Sequence, residues 1–322
     1  MTTTQPKAWP ADDPRLSRIW LRKELIASGL SDRSIATMVA TGELHRVRYG
    51  TYVSGTAWAQ AAETQRHSIL ARAVVRRANA EVVVSHISAA TEWEVALWDV
   101  ALDVVHLTRI DQEAGRREAG VIQHLGKLRD EDVLVRNGIA VTNPTRTALD
   151  CACVLDVERA LVVISDLLHR GLTTIDKLRA MEEFMSQWPG SLRVRLVLGL
   201  VDALCESVGE RRFLYLAWKQ GLPRPEAQHE VIDETGHRYR LDFAWPEHKV
   251  WLEFDGRVKY EKYLKEGESV TDAVLREKRR EEEIARLTGW RCIRITWADL
   301  AHPERTAGKI RALLSPAQRV AG

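Results

Sequence analysis

The sequence predicts a multidomain α/β protein, and three observations carry that expectation. The chain has 322 residues, 45% hydrophobic and 29% charged, enough to bury a large core but long for one compact unit. Residues 16–53 read as two short helices, each closed by a glycine, followed by an alternating hairpin. Residues 231–255 read as three successive strands set between helical stretches. The expected organisation is a leader over 1–15, a small helical and hairpin unit over 16–56, an α/β middle region over 57–204 and a second α/β domain over 205–314.

The first helix is expected to open at Pro14 and run through Ile19, Trp20, Leu21 and Leu25 to a stop at Gly29. Ser31 or Asp32 caps a second helix that aligns Ile35, Met38 and Val39 on one face and ends at Gly42. Glu43 to Val53 alternates apolar and polar residues about Gly50, the pattern of a small β-hairpin. Helix, turn, helix and hairpin in this order make a winged helix-turn-helix. In such a unit Asp32, Arg33, Ser34 and Thr37 on the second helix would face DNA bases or phosphates, while Arg46, Arg48 and Tyr49 on the wing would hold the backbone. The same geometry also serves as a helical cap used only for packing.

From Gln65 to Glu206 helical and strand-like stretches alternate. Val82–Val84 and Val104–Leu107 read as strands, and Glu158–Leu168 reads as a helix. Asn143-Pro-Thr145 is turn chemistry leading into a capped helix. His86 and His106 lie in apolar surroundings and are expected to be hydrogen-bonded core histidines; Arg146 and Asp150 have the spacing of an i, i+4 ion pair. No chemistry is expected there. Trp188-Pro-Gly190 is a break, and a helix resumes over 191–204.

Within 205–314 a helix opens at Glu206-Ser-Val-Gly-Glu210 and buries Phe213, Leu214 and Leu216 to Trp218. A turn at Thr235-Gly236 and a four-residue loop, Pro246 to Lys249, then join three antiparallel strands. If Trp245 opposes Val250, paired residue numbers sum to 495, Asp242 faces Glu253, and Asp255 projects from the same side as Glu253. Like charges placed directly opposite one another repel unless something neutralises them. A hard divalent cation, Mg²⁺ or Mn²⁺, would do so and could activate water against a phosphodiester. Lys259 would orient the water or stabilise the developing oxyanion, and Glu210 in its helix's first turn would overlook the patch. Equally, the carboxylates can pair with Arg240, Arg257 or Lys259 as ordinary surface charges. Downstream, 270–287 is a charged helix closed by Gly289, in which Lys278 and Arg279 can track phosphates, and Trp290–Trp297 is a strand.

Four blocks, Arg240-Leu-Asp-Phe-Ala-Trp-Pro-Glu247, Val250-Trp-Leu-Glu-Phe-Asp-Gly-Arg-Val-Lys-Tyr260, Glu277-Lys-Arg-Arg-Glu281 and Gly289-Trp-Arg-Cys-Ile-Arg-Ile-Thr-Trp297, resemble the very-short-patch-repair-like endonuclease domain of the PD-(D/E)xK superfamily. The resemblance covers about residues 205–300. It implies a restriction-endonuclease-like α/β core and Mg²⁺-dependent DNA cleavage, with Glu210, Asp242 and Glu253 on the family's acidic positions. Where the family has a lysine two residues after the glutamate this chain has Asp255, with Lys259 as a shifted substitute.

Residues 16–53, with Gly29-Leu-Ser31 and Gly42-Glu-Leu-His-Arg-Val-Arg-Tyr-Gly-Thr-Tyr-Val53, resemble the winged domain of AbiEi-type antitoxins, and Ser85–Ala90 and Val141–Asp150 extend the likeness. This implies an autorepressor with a cognate toxin protein as partner.

Charge and composition narrow these readings. Lys plus Arg number 47 against 45 Asp plus Glu, a formal charge of +2, which excludes a polybasic, histone-like protein. No run of eighteen apolar residues exists and the N-terminus lacks the layout of a secretory signal, so a cytoplasmic protein without a membrane partner is expected. Cys151, Cys153, Cys205 and Cys292 are too few and too scattered for a disulfide framework and are expected to be buried, reduced thiols. Two functions stand: a DNA endonuclease of phage defence or a toxin-antitoxin-like system, and an antitoxin-like repressor whose nuclease fold is inactive. Double-stranded DNA is the expected partner of both, and a homo-oligomer is compatible with either.

Overall fold

The computed structural model describes residues 9–78, 80–111, 117, 118, 120–255 and 269–315. The chain forms two compact units, Met1–Arg195 and Leu196–Gly322, each mixed α/β. Among the described residues no helix is long and apolar enough to cross a membrane.

The first unit begins with a 3-10 turn, Pro14–Leu16, capped by the Asp13 side chain. The single helix expected from Pro14 to Gly29 is not formed. Trp20–Leu21 is instead a short strand, β1, and only Arg22–Ala27 is helical, as α1. The apolar residues at 19–21 that suggested a helix face are drawn into backbone pairing, with Trp20 opposite Tyr52 and Leu21 opposite Thr51. Helix α2, Asp32–Ala40, follows the expected pattern: the Ser31 hydroxyl accepts from the Ser34 N–H and Ile35 is buried. Strands β2, Leu44–Arg48, and β3, Thr51–Ser54, form the hairpin around Gly50, whose φ of 69° suits the turn. The sheet order is β1-β3-β2, and Leu25, Ile35, Leu44 and Tyr52 form the small core beneath it.

Helices α3, Gly55–Gln60, and α4, Glu63–Arg77, lead to a six-stranded sheet. Its elements are β4, Val82–Val84; α5, His86–Glu92; β5, Val105–Arg109; β6, Arg117–Glu118; β7, Val121–His124; β8, Val133–Arg136; and β9, Ile139–Thr142. The strand order β6-β7-β5-β4-β9-β8 mixes parallel and antiparallel neighbours. Helices α6, Pro144–Val154, α7, Val157–His169, and α8, Ile175–Phe184, follow. Asn143 caps α6 as its sequence signals: the side chain accepts from the Arg146 N–H at 2.8 Å and Pro144 occupies the first turn. Helix α9 spans Ser191–Leu200, four residues shorter than expected.

In the second unit, α10, Val208–Lys219, packs on a four-stranded sheet of order β10-β11-β12-β13: Glu226–Ile232, Arg238–Trp245, Val250–Asp255 and Arg291–Thr296. The first three strands are antiparallel neighbours and β13 runs parallel to β12. Helix α11, Val270–Thr288, connects β12 to β13 and ends at Gly289, whose φ of 64° forms the left-handed cap. Helices α12, Trp297–Leu300, and α13, Pro303–Leu314, complete the unit.

Both faces of this sheet are covered. Phe213, Leu214 and Leu216 of α10 meet Phe243, Trp245, Val250, Leu252 and Phe254 on one side. On the other, Ile284 of α11 meets Leu241, Ala244 and Trp251. Trp218, expected on the buried side of α10, is 42% exposed. It lies beyond the helical stripe defined by 213, 214, 216 and 217, a full turn from Leu214 and toward the C-terminal cap.

Candidate functional site

Strands β11 and β12 pair in the register expected from the loop length: Trp245 faces Val250, Ala244 faces Trp251 and Phe243 faces Leu252. The ladder stops there. Continued by one residue it would pair Asp242 with Glu253, but the Asp242 carboxylate takes over the bonding, its Oδ2 accepting the Phe254 N–H at 2.8 Å.

The reason lies in a local twist. Along β11, Phe243 and Trp245 point into the α10-side core, whereas Leu241, which has the same parity, points into the α11-side core. Along β10, Ala227 lies on the α10 side and Val231 on the α11 side. Both strands therefore exchange faces at one level, the level of Gln228 and Asp242. Gln228 stands between the pairs Ala227/Phe243 and His229/Leu241 and has a positive φ of 50°. This departure from period two places Asp242 at a break in the sheet, where its side chain is half-buried.

Glu210 approaches the same level from α10. Its Oε2 accepts the Gln228 amide at 3.1 Å and the Glu206 N–H at 2.9 Å. Close helix-to-strand packing allows this: a methyl group built on the neighbouring Gly209 would lie 2.1 Å from the Phe254 ring. Gln228 also accepts from Arg240 Nε at 3.1 Å, and Arg240 pairs with Glu206.

Glu253 lies on the α11 side and is 7% exposed. Burial, reinforced by the Asp242 charge, pushes its carboxyl up to about 8, against the opposing effect of Arg280. Arg280 Nη1 donates to Glu253 Oε1 at 3.0 Å and to Glu277 Oε1 at 3.1 Å, and its other nitrogen donates to the Arg240 carbonyl. Arg294, opposite Glu253 in the parallel pair, is held by Glu281 at 2.7 Å. Among the described residues, no partner hydrogen-bonds Asp242 Oδ1 or Glu253 Oε2.

The structure thus brings Asp242 and Glu253 together and links Glu210 to Asp242's level through Gln228. Asp255 ends β12 opposite Thr296 with its side chain half-buried. Its carboxylate does not complete a three-ligand cluster with the other two within 4.8 Å. Lys259 lies outside the described residues. Lys278 and Arg279 are exposed on α11, Lys278 at 4.0 Å from Glu282.

On the N-terminal hairpin unit, Arg33 and Arg46 are exposed. The Ser34 hydroxyl is 2.8 Å from that of Ser31, and the Thr37 hydroxyl donates to the Arg33 carbonyl at 3.0 Å. Asp32 forms an ion pair with Arg22 of α1, which ties the two helices together. Arg48 is partly buried, and burial together with the neighbouring Arg77 lowers its pKa. Arg77 in turn donates to the Tyr49 carbonyl, leaving the Tyr49 ring 82% exposed.

Sequence reasoning missed a second cluster. His86, His106 and His124 have ring nitrogens all within 4.8 Å of one another, the group of three or more His, Cys, Asp or Glu with such spacing among the described residues. His124 carries no local signal, and the sequence alone gives His86 and His106 only as separate core histidines.

No known family model matches the chain. Two uncharacterized proteins of Mycobacterium tuberculosis, MT2308 of strain CDC 1551 and Rv2248 of strain H37Rv, are each 27% identical to it over 187 residues, which is 58% of this chain and 65% of theirs. The chain therefore matches just under two thirds of the length of these relatives.

Proposed function

We propose that the protein is a DNA-binding, metal-dependent endonuclease of a phage-defence or toxin-antitoxin-like system. In this reading the N-terminal hairpin unit is a winged helix-turn-helix that docks on double-stranded DNA, and the second unit, a restriction-endonuclease-like domain, cleaves phosphodiesters. The observation that carries the reading is the convergence of Asp242 and Glu253 at a break in the sheet, where burial and the Asp242 charge both make ionised Glu253 costly. Two buried-edge carboxylates that repel one another are a poor structural element and a good cation site.

The donor set suits Mg²⁺ or Mn²⁺. Both groups offer hard oxygens, each has one oxygen not engaged by a described residue, and Mg²⁺ commonly uses one or two carboxylates together with water and substrate phosphate. When bound, such an ion supplies an activated water and charge stabilisation at the phosphorus. The chain's own contribution is positional. The Phe254 N–H orients Asp242, Arg280 orients Glu253, and Gln228 couples Glu210 to the break. Arg33, Ser34, Thr37, Arg46 and Arg48, with Lys278 and Arg279 on α11, are the residues assigned to DNA phosphates or bases.

The test is incubation of supercoiled plasmid with the full chain, with and without Mg²⁺ or Mn²⁺. Nicking or linearisation that needs the ion is expected from the wild type, and an Asp242→Ala, Glu253→Ala double variant should lose it. Undiminished cleavage by that variant rejects the reading.

One observation favours a second reading. Arg280 already neutralises Glu253 through a direct ion pair, an arrangement that also suits an inactive nuclease fold in an antitoxin-like repressor with a toxin partner. Sequence-specific, metal-independent retardation of its own promoter without nicking would favour the repressor.

A further inference from the structure

The first unit contains a feature that its sheet topology alone creates. His106 lies on β5 and His124 at the end of β7, and these strands are parallel neighbours with Thr108 opposite His124. His106 is two residues before Thr108, so both histidines project from one face. His86 joins them from the first residue after the β4-to-α5 junction, because Ser85 N–H donates to the His106 carbonyl at 3.1 Å and draws the junction alongside β5. His106 Nδ1 is 2.8 Å from His124 Nε2, and the His86 and His124 rings stack with centroids 3.6 Å apart.

A fourth element supplies an oxygen. Asp150 on α6 is 2% exposed, and its Oδ2 lies 3.9 Å from His86 Nδ1. That oxygen is buried without a hydrogen-bond partner. The other oxygen, Oδ1, accepts from Arg146 Nε at 2.8 Å; Arg146 is itself fixed by the Lys127 carbonyl at 2.9 Å. An unsatisfied buried carboxylate oxygen facing imidazoles is costly and calls for a partner. His86 also has a φ of 52°, a left-handed conformation that a non-glycine residue adopts at a cost.

From this placement we infer that His86, His106 and His124, with the Asp150 carboxylate beside His86, form a binding site for one divalent transition-metal ion of the zinc class. Three imidazoles are a donor set for Zn²⁺ and its borderline neighbours rather than for Mg²⁺. The 2.8 Å contact between His106 Nδ1 and His124 Nε2 is a hydrogen bond in the metal-free chain, and an ion would replace that shared proton. The supporting shell resembles that of metal sites: Ser85 Oγ is 2.9 Å from His86 Nδ1 and accepts from the Thr108 hydroxyl at 2.8 Å, and Arg146 fixes Asp150. His124 is half-buried. Bound there, the ion would tie α5, β5 and β7 together beside α6, linking segments between residues 86 and 150.

The inference does not depend on the activity of the second unit. The full chain, stripped with a chelator, would be titrated with Zn²⁺ alone by calorimetry and with Co²⁺ alone by visible absorption. One ion per chain at the histidines, cobalt d–d bands typical of four or five nitrogen and oxygen ligands, and a metal-dependent rise in unfolding temperature are expected. His106→Gln and His124→Gln should each weaken binding at the histidines by about tenfold or more, while an Asp242→Asn, Glu253→Gln double variant, which removes the carboxylate pair proposed above, should still bind one ion there. Absence of d–d bands in the folded wild-type chain overturns the inference, as does binding unchanged in folded histidine variants. The wild-type cobalt spectrum decides the matter should those variants fail to fold.

Discussion

Asp242 uses a side-chain oxygen to hold the main chain of Phe254, at 2.8 Å, where the β11–β12 ladder would otherwise have continued. The bond both opens the sheet and fixes the carboxylate beside Glu253. Asp242→Asn keeps a carbonyl acceptor for the Phe254 N–H but removes the charge. Under the nuclease reading this variant should remain folded and lose Mg²⁺ affinity by about 10–100-fold or more, as measured by metal dependence of plasmid nicking. Wild-type metal dependence in the variant would separate Asp242 from the cation.

Glu253 predicts a pH-dependent stability difference. Its folded-state pKa is raised to about 8 from the ordinary 4.5 of a glutamate, so the folded form binds a proton more tightly than the unfolded form. The folded carboxyl is favoured at low pH, and that stabilisation is lost as pH rises from the unfolded value through about 8. Glu253→Gln mimics the protonated group and cannot ionise. In metal-free buffer its unfolding temperature relative to wild type should therefore climb between pH 4.5 and 8 and level off above. A difference that stays flat across this range would contradict the burial argument.

Gly209 permits the close approach of α10 to β12. Gly209→Ala places a methyl 2.1 Å from Phe254 Cε1, with further ring atoms at 2.3 and 2.6 Å, and Phe254 is buried in the core. Overpacking of this kind costs about 1–3 kcal/mol, readable as a lowered denaturation midpoint. The same change should displace Glu210 and reduce cleavage beyond the loss of folded protein.

Arg33 and Arg46 are exposed on α2 and β2. If they contact phosphates, replacing either with Ala should weaken DNA binding uniformly across sequences and reduce the salt slope by about 1. Fluorescence anisotropy at several salt concentrations measures both. An unchanged slope in both variants would remove the hairpin unit from the DNA interface.

The cysteines should behave as inert thiols. Burial pushes Cys153 up to about 11 and Cys292 up to about 12, and raises Cys205 further. At pH 8 each would be almost wholly protonated, so alkylation of the native chain should be slow compared with the same chain in denaturant. A thiol that reacts at once under native conditions would contradict this burial.

The reach of the sequence follows the range of the interaction concerned. Helix α2 was legible because its cap, Ser31, and its apolar face lie within one segment. The β11–β12 register was legible because a four-residue loop leaves little freedom in how its strands align. Trp20 and Leu21 misled because their extended conformation depends on Tyr52 and Thr51, thirty residues away, and backbone pairing there overrode a helical periodicity.

By itself, then, the sequence determined the cap of α2, the β2–β3 hairpin and the register of β11 with β12, since these follow from short-range periodicity and loop length. Tertiary structure decided the rest of each site. Arg280 reaches Glu253 only because α11 packs across that face of the sheet. His86, His106 and His124 meet only because β7, β5 and β4 are neighbours in space and α6 carries Asp150 toward the same point. Such contacts arise from the packing of whole elements, whose free energy is spread over many apolar side chains and leaves no pattern at the residues that happen to meet.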